Sequence, residues 1–173
     1  MTAIAALIDK GQVWIGGDSA GVSGMSLTIR KDEKVFHNGK FLIGGTTSFR
    51  MLSLLRYSFK PPVKKNNISD LVYMNTVFID DLRECFKAGG FSDGTKGGTF
   101  FVGFNKALYM IDSDLQVGLP RDPFSACGCG EDLCVGSLYS TKGRPPKERI
   151  KLALQAAERF SAGVRGPFII KSI

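Results

Sequence analysis

The chain opens Met1-Thr2-Ala3-Ile4-Ala5-Ala6-Leu7-Ile8-Asp9-Lys10-Gly11-Gln12-Val13-Trp14-Ile15-Gly16-Gly17-Asp18, and the reading of this stretch decides the fold. Thr2 to Ile8 is apolar and compact, Asp9 to Gln12 reads as a turn, and Val13 to Gly17 returns as a strand. A turn at Lys10-Gly11 brings the end of the second strand back beside the start of the first. Asp18 then lies close to Thr2. A further strand around Lys34-Val35-Phe36 carries Lys34 to the same place.

Thr2 is small enough for removal of Met1, which leaves an α-amine beside the Thr2 hydroxyl. Such an amine titrates at about 7.7–8.0, so much of it is neutral near pH 7 and can serve as base for its own Oγ. A cation at Lys34 lowers the pKa of both groups, and Asp18 keeps that cation charged and oriented. Singly, Asp18 is an ordinary turn residue and Lys34 an ordinary solvated side chain; their joint placement carries the information. His37 is the only histidine. A Ser-His-Asp or Cys-His arrangement would have to be built around it, and Phe36-His37-Asn38-Gly39 reads as a surface hairpin turn.

On these residues the N-terminal third resembles the proteasome β-subunit and HslV peptidase family of N-terminal nucleophile hydrolases. In that family the mature chain starts with Thr, an acidic residue follows 16 positions later and a Lys 32 positions later; Thr2, Asp18 and Lys34 stand at those intervals. Ile15-Gly16-Gly17-Asp18-Ser19 and Asn38-Gly39-Lys40-Phe41-Leu42-Ile43-Gly44-Gly45 also fit. The resemblance implies that Gly44 donates a backbone N–H to the oxyanion, and that Gly21, Leu42 and Gly45 line the substrate side, with an apolar preference. The family carries a Gly-Ser-Gly turn whose Ser bonds near the nucleophile's amine. Here the stretch is Ala126-Cys127-Gly128-Cys129-Gly130, with Cys129 at the Ser position, and a thiol is a poorer hydrogen-bonding group. Ser161, in Arg159-Phe160-Ser161-Ala162-Gly163, is a candidate for the family's second Ser.

A chain of 173 residues, 43% hydrophobic, can bury a sizeable core as one domain over 1–173. No run approaches the ~20 apolar residues of a membrane span. The start has no basic segment typical of a secretory signal, which points to the cytoplasm and free thiols. Cys127, Cys129 and Cys134 lack the paired spacing of a zinc site, and small thiols packed at a strand end and on the next helix are expected instead. No metal or cofactor is expected. The net charge of +7 includes Lys60, Lys64, Lys65 and a second run, Lys142, Arg144, Lys147, Arg149, Lys151. Neither run interleaves stacking aromatics, so solvated faces or a contact with an acidic partner are favoured over nucleic acid.

Beyond the first hairpin, a strand is expected at Lys40–Thr46, a short helix at Ser48–Tyr57 and a loop at Pro61–Asn67. A helix opening at Ser69-Asp70 carries an apolar stripe of Leu71, Val72, Met74, Val77, Phe78, Leu82 and Phe86. Strands follow at Thr99–Phe104 and Ala107–Ile111, then helices from Glu131 and over Pro145–Ala162, and a last strand at Pro167–Ile170. Periodicity alone gives α+β. The resemblance implies a four-layer αββα sandwich of two stacked, mainly antiparallel sheets between helical layers, the N-terminal nucleophile hydrolase fold. It further implies a threonine peptidase cutting peptides or proteins in a homo-oligomeric ring or double ring, with an ATPase unfoldase as partner. The alternatives are a non-catalytic ring subunit or scaffold and, third, a small-molecule amidohydrolase of the same superfamily.

Overall fold

β1 (Ala3–Asp9) and β2 (Gln12–Gly17) form the expected hairpin, with Lys10 and Gly11 both at positive φ. Such a turn matches the twist of the strands it joins. Along β1 the side chains alternate: Ala3, Ala5 and Leu7 pack under helices, while Ile4 and Ala6 face a second sheet. Burial on both faces explains why this strand reads as a continuous apolar run.

The computed structural model describes residues 1–173. β3 (Ala20–Ser23) and β4 (Ser26–Ile29) form a separate two-stranded hairpin. β5 (Val35–Asn38), β6 (Phe41–Gly45), β7 (Phe100–Phe104), β8 (Ala107–Ile111) and β9 (Val117–Gly118) make a five-stranded sheet in that order. β10 (Phe124–Gly128) and β11 (Ile169–Ser172) flank the first hairpin in the order β10-β1-β2-β11, and every pairing is antiparallel. Between the sheets lie Ile4, Ile15, Val35, Leu42, Phe101 and Cys127.

Helices cover both outer faces. On the five-stranded sheet lie α1 (Phe49–Ser53), α2 (Asp70–Tyr73) and α3 (Ile79–Ala88); on the other lie α4 (Glu131–Ser140) and α5 (Pro146–Phe160). The result is the four-layer αββα sandwich. Ser48 caps α1 and Ser69 caps α2 through their side-chain oxygens. A wide π turn, Met74–Phe78, joins α2 to α3. The buried row Met74, Phe78, Leu82, Phe86 repeats every four residues, more than the 3.6 of an α-helix, and the wide turn absorbs part of the difference.

Several expectations are corrected. Leu71, Val72 and Val77 are not part of the buried stripe; Leu71 and Val72 are 46% and 48% exposed. His37 lies within β5 rather than in the turn, with its side chain exposed, and the turn falls at Gly39-Lys40. Arg149 is not a solvated charge: it is buried and donates to the Leu138 carbonyl at 2.6 Å. The last strand begins at Ile169, and the structure adds the β3–β4 hairpin and β9 to the expected strands.

Candidate active site

The β1–β2 hairpin sets Ile4 opposite Gly17, which puts Asp18 beside Ala3, the first residue of β1 and the neighbour of Thr2. Asp18 is buried and accepts from three backbone amides: Ala3 at 3.1 Å, Ala20 at 2.9 Å and Arg165 at 3.3 Å. Those amides fix both carboxylate oxygens. Lys34, immediately before β5, donates to Asp18 Oδ1 at 2.7 Å and to Thr2 Oγ1 at 2.8 Å. Its side chain is only 2% exposed. Burial pushes the Lys34 ammonium below the ordinary lysine value, against the opposing pull of Asp18.

The loop after β10 closes the other side of Thr2. Thr2 N–H donates to Cys129 Sγ at 3.2 Å, the Cys129 thiol donates to Thr2 O at 3.4 Å, and Cys129 Sγ lies 3.4 Å from Ser161 Oγ. Gly128, at φ +96°, lets the chain pass against Thr2; a Cβ there would stand 2.3 Å from the Thr2 carbonyl oxygen. With Met1 attached, Thr2 N is an amide, and the Thr2 hydroxyl donates to the Met1 carbonyl.

Thr2, Asp18, Lys34 and Cys129 are thus brought together, with Ser161 beside them. Gly44 is not on the cleft. It is buried in the middle of the second sheet, where a Cβ would stand 2.5 Å from Ile15 Cγ2, so its role in the structure is close approach of the two sheets. Leu42 is likewise buried between the sheets and does not line the cleft, and Gly21 sits on the β3–β4 hairpin against Thr28 and Arg30. Gly45 does line it. The cleft beside Thr2 is about 80 Å³, walled by Val22, Phe49, Leu52 and the turn Gly45 to Ser48. Gly45 N–H donates to Lys34 O at 3.1 Å, whereas Thr47, at φ 68°, has no intramolecular partner for its N–H. Sequence reasoning missed the backbone amides on Asp18 and the Thr47 amide, because no side-chain pattern announces them.

The other cysteines serve packing. Cys127 lies between the sheets and Cys134 under α5; burial raises the first well above the usual thiol range and pushes the second up to about 12. A larger cavity of about 420 Å³, at the far end of the β5–β6 hairpin around Lys40, Phe41 and Pro62, contains none of the residues around Thr2.

The αββα sandwich is the N-terminal nucleophile hydrolase fold of the proteasome and HslV type, and a buried Thr–Lys–Asp chain lies at its mouth. No protein-family model matches the chain, and no curated protein does. Solved structures do. Thiobacillus denitrificans BPH in complex with epoxomicin superposes with a TM-score of 0.84 at 15% identity, covering 99% of this chain and 98% of that one. A second structure, Thiobacillus denitrificans BPH, gives 0.83 at 15% identity, with 99% and 97% covered. Eukaryotic HslV from Trypanosoma brucei gives 0.70 at 15% identity, with 99% and 98% covered.

Proposed function

We propose that this chain is a single-domain threonine peptidase subunit whose nucleophile is Thr2 Oγ1, active once Met1 is released. The observation that carries the reading is the buried Lys34, bonded at once to Thr2 Oγ1 and Asp18. A structural subunit has no use for an ammonium held there at the expense of desolvation.

In this reading the freed Thr2 amine takes the hydroxyl proton as Oγ1 attacks a peptide carbonyl, then returns it to the leaving amine. Water hydrolyses the resulting ester by the same route. Lys34 stabilises charge on Oγ1, Asp18 orients Lys34, and Cys129 with Ser161 holds the amine. Thr47 supplies the free amide on the cleft wall, and so replaces Gly44 as donor to the tetrahedral oxyanion. Val22, Phe49 and Leu52 favour an apolar side chain next to the cut bond. Assembly into a ring in the cytoplasm, with an ATPase partner for folded substrates, belongs to the same proposal; the exposed Leu71, Val72 and Val77 offer apolar surface for subunit contact.

The test is intact mass of the native protein, then reaction with a peptide epoxyketone. Loss of Met1 and an adduct absent in Thr2→Ala support the peptidase. Retained Met1 and no adduct support the second reading, a non-catalytic ring subunit, which the thiol at Cys129 favours. Turnover of small acyl amides but not of peptides supports an amidohydrolase.

A further inference from the structure

We propose that the outer edge of β11, with the adjoining face of α5, is a docking groove for an extended acidic segment of a partner protein, added as a fifth strand to the sheet. β11 is last in the order β10-β1-β2-β11 and pairs only with β2. Ile173 exchanges both hydrogen bonds with Val13, at 3.0 and 2.9 Å, which fixes the phase of the ladder. Alternation then turns the N–H and C=O of Lys171 toward β2 and those of Ile170 and Ser172 outward. A row of outward main-chain groups is a template for another strand.

The side chains beside that edge select the strand. A groove of about 470 Å³ has Phe168 and Ile170 among its walls, both half-buried, with Lys147 and Lys151 across it on α5. Neither of those lysines has an ion-pair partner. Lys171 Nζ is 3.2 Å from Glu33 Oε2 and Arg56 is 3.9 Å from it, so the one carboxylate of the groove is already neutralised. Lysines also guard edges against self-pairing, and Lys171, on the edge strand itself and paired with Glu33, can serve that purpose. Lys147 and Lys151 instead stand on a helix, across an apolar surface. In an extended segment alternating acidic and apolar residues the acidic face meets Lys147 and Lys151 and the apolar face lies beside Ile169 on the other side of the sheet, while the main chain pairs with Ile170 and Ser172. A second copy pairing edge to edge fits poorly, since it would bring Lys147 and Lys151 toward their own counterparts.

The experiment is fluorescence anisotropy of a short labelled peptide alternating Glu and Val against the full chain, with hydrogen exchange read at Ile170 and Ser172. Saturable binding is expected, with slowed exchange at those two amides. Lys147→Glu with Lys151→Glu, both exposed helix positions, weakens it on the order of tenfold. N-methylation of alternate peptide amides abolishes it without altering the protein. The proposal is overturned if no saturation occurs at millimolar peptide, or if N-methylation has no effect. It is equally overturned if an oligonucleotide of equal length competes as well, or if the edge is buried in a dimer that the peptide does not dissociate. Failure here leaves the reactivity of Thr2 toward an epoxyketone untouched, and the reverse also holds.

Discussion

Lys34 is the residue on which stability and chemistry meet. Burial lowers its pKa from the ordinary 10.5. The unfolded chain therefore binds this proton more tightly than the native one, so the Lys34 contribution to stability rises as pH climbs from the folded value toward 10.5. Chemical denaturation across the alkaline range should show that rise, and Lys34→Met should remove it. Asp18→Asn leaves the ammonium without its counter-ion and weakens the acceptor of three backbone amides, so a loss of about 3 kcal/mol is expected. For catalysis the proposal predicts that peptide hydrolysis increases as the Thr2 amine loses its proton, around pH 7–8. It also predicts that Lys34→Ala abolishes epoxyketone labelling while leaving Met1 release intact, which intact mass separates. These three residues were legible in the sequence because intervals along two hairpins survive folding. Gly44 was not, because two adjacent glycines point to opposite faces of a strand and the text alone does not say which meets the cleft.

At the level of elements, the two sheets touch where side chains are missing. Ala at position 44 would place its Cβ 2.5 Å from Ile15 Cγ2. Gly44→Ala should therefore cost about 1–3 kcal/mol in a thermal or urea melt through overpacking, with no change in the groups around Thr2. On the helical side, Phe41 stacks on Phe104 with centroids 4.5 Å apart and Phe78 packs against both Phe41 and Phe59. Phe78→Ala should cost about 3–5 kcal/mol by the same measurement. Strands with strong alternation or flanking turns, such as β1, β2, β7 and β8, could be read directly. β3 and β4 could not: their side chains are mostly exposed, so no buried face imposes a period. The helix from Ser69 was legible as a helix, but its π turn rotates Leu71, Val72 and Val77 out of the row that an α-period assigns them.

At the scale of the molecule, the fold follows from one hairpin buried on both faces, which requires helices on one side and a second sheet on the other. Chain assembly is the level least legible in a single sequence, since it depends on surfaces that monomer burial does not rank. The ring proposal predicts a sedimentation coefficient far above that of an 18.8 kDa monomer, reduced when Val72→Lys and Val77→Lys are combined. One contact gives the site a place in time as well as in space. Asp18 is completed by the amide of Arg165, 147 residues further on. A chain still emerging from the ribosome has the Thr2, Asp18 and Lys34 side chains but not the closing strap. On the peptidase proposal, a copy that still lacks this strap has an incomplete site. A chain stopped after Phe160 should accordingly fail to label with an epoxyketone even where circular dichroism reports folded sheets.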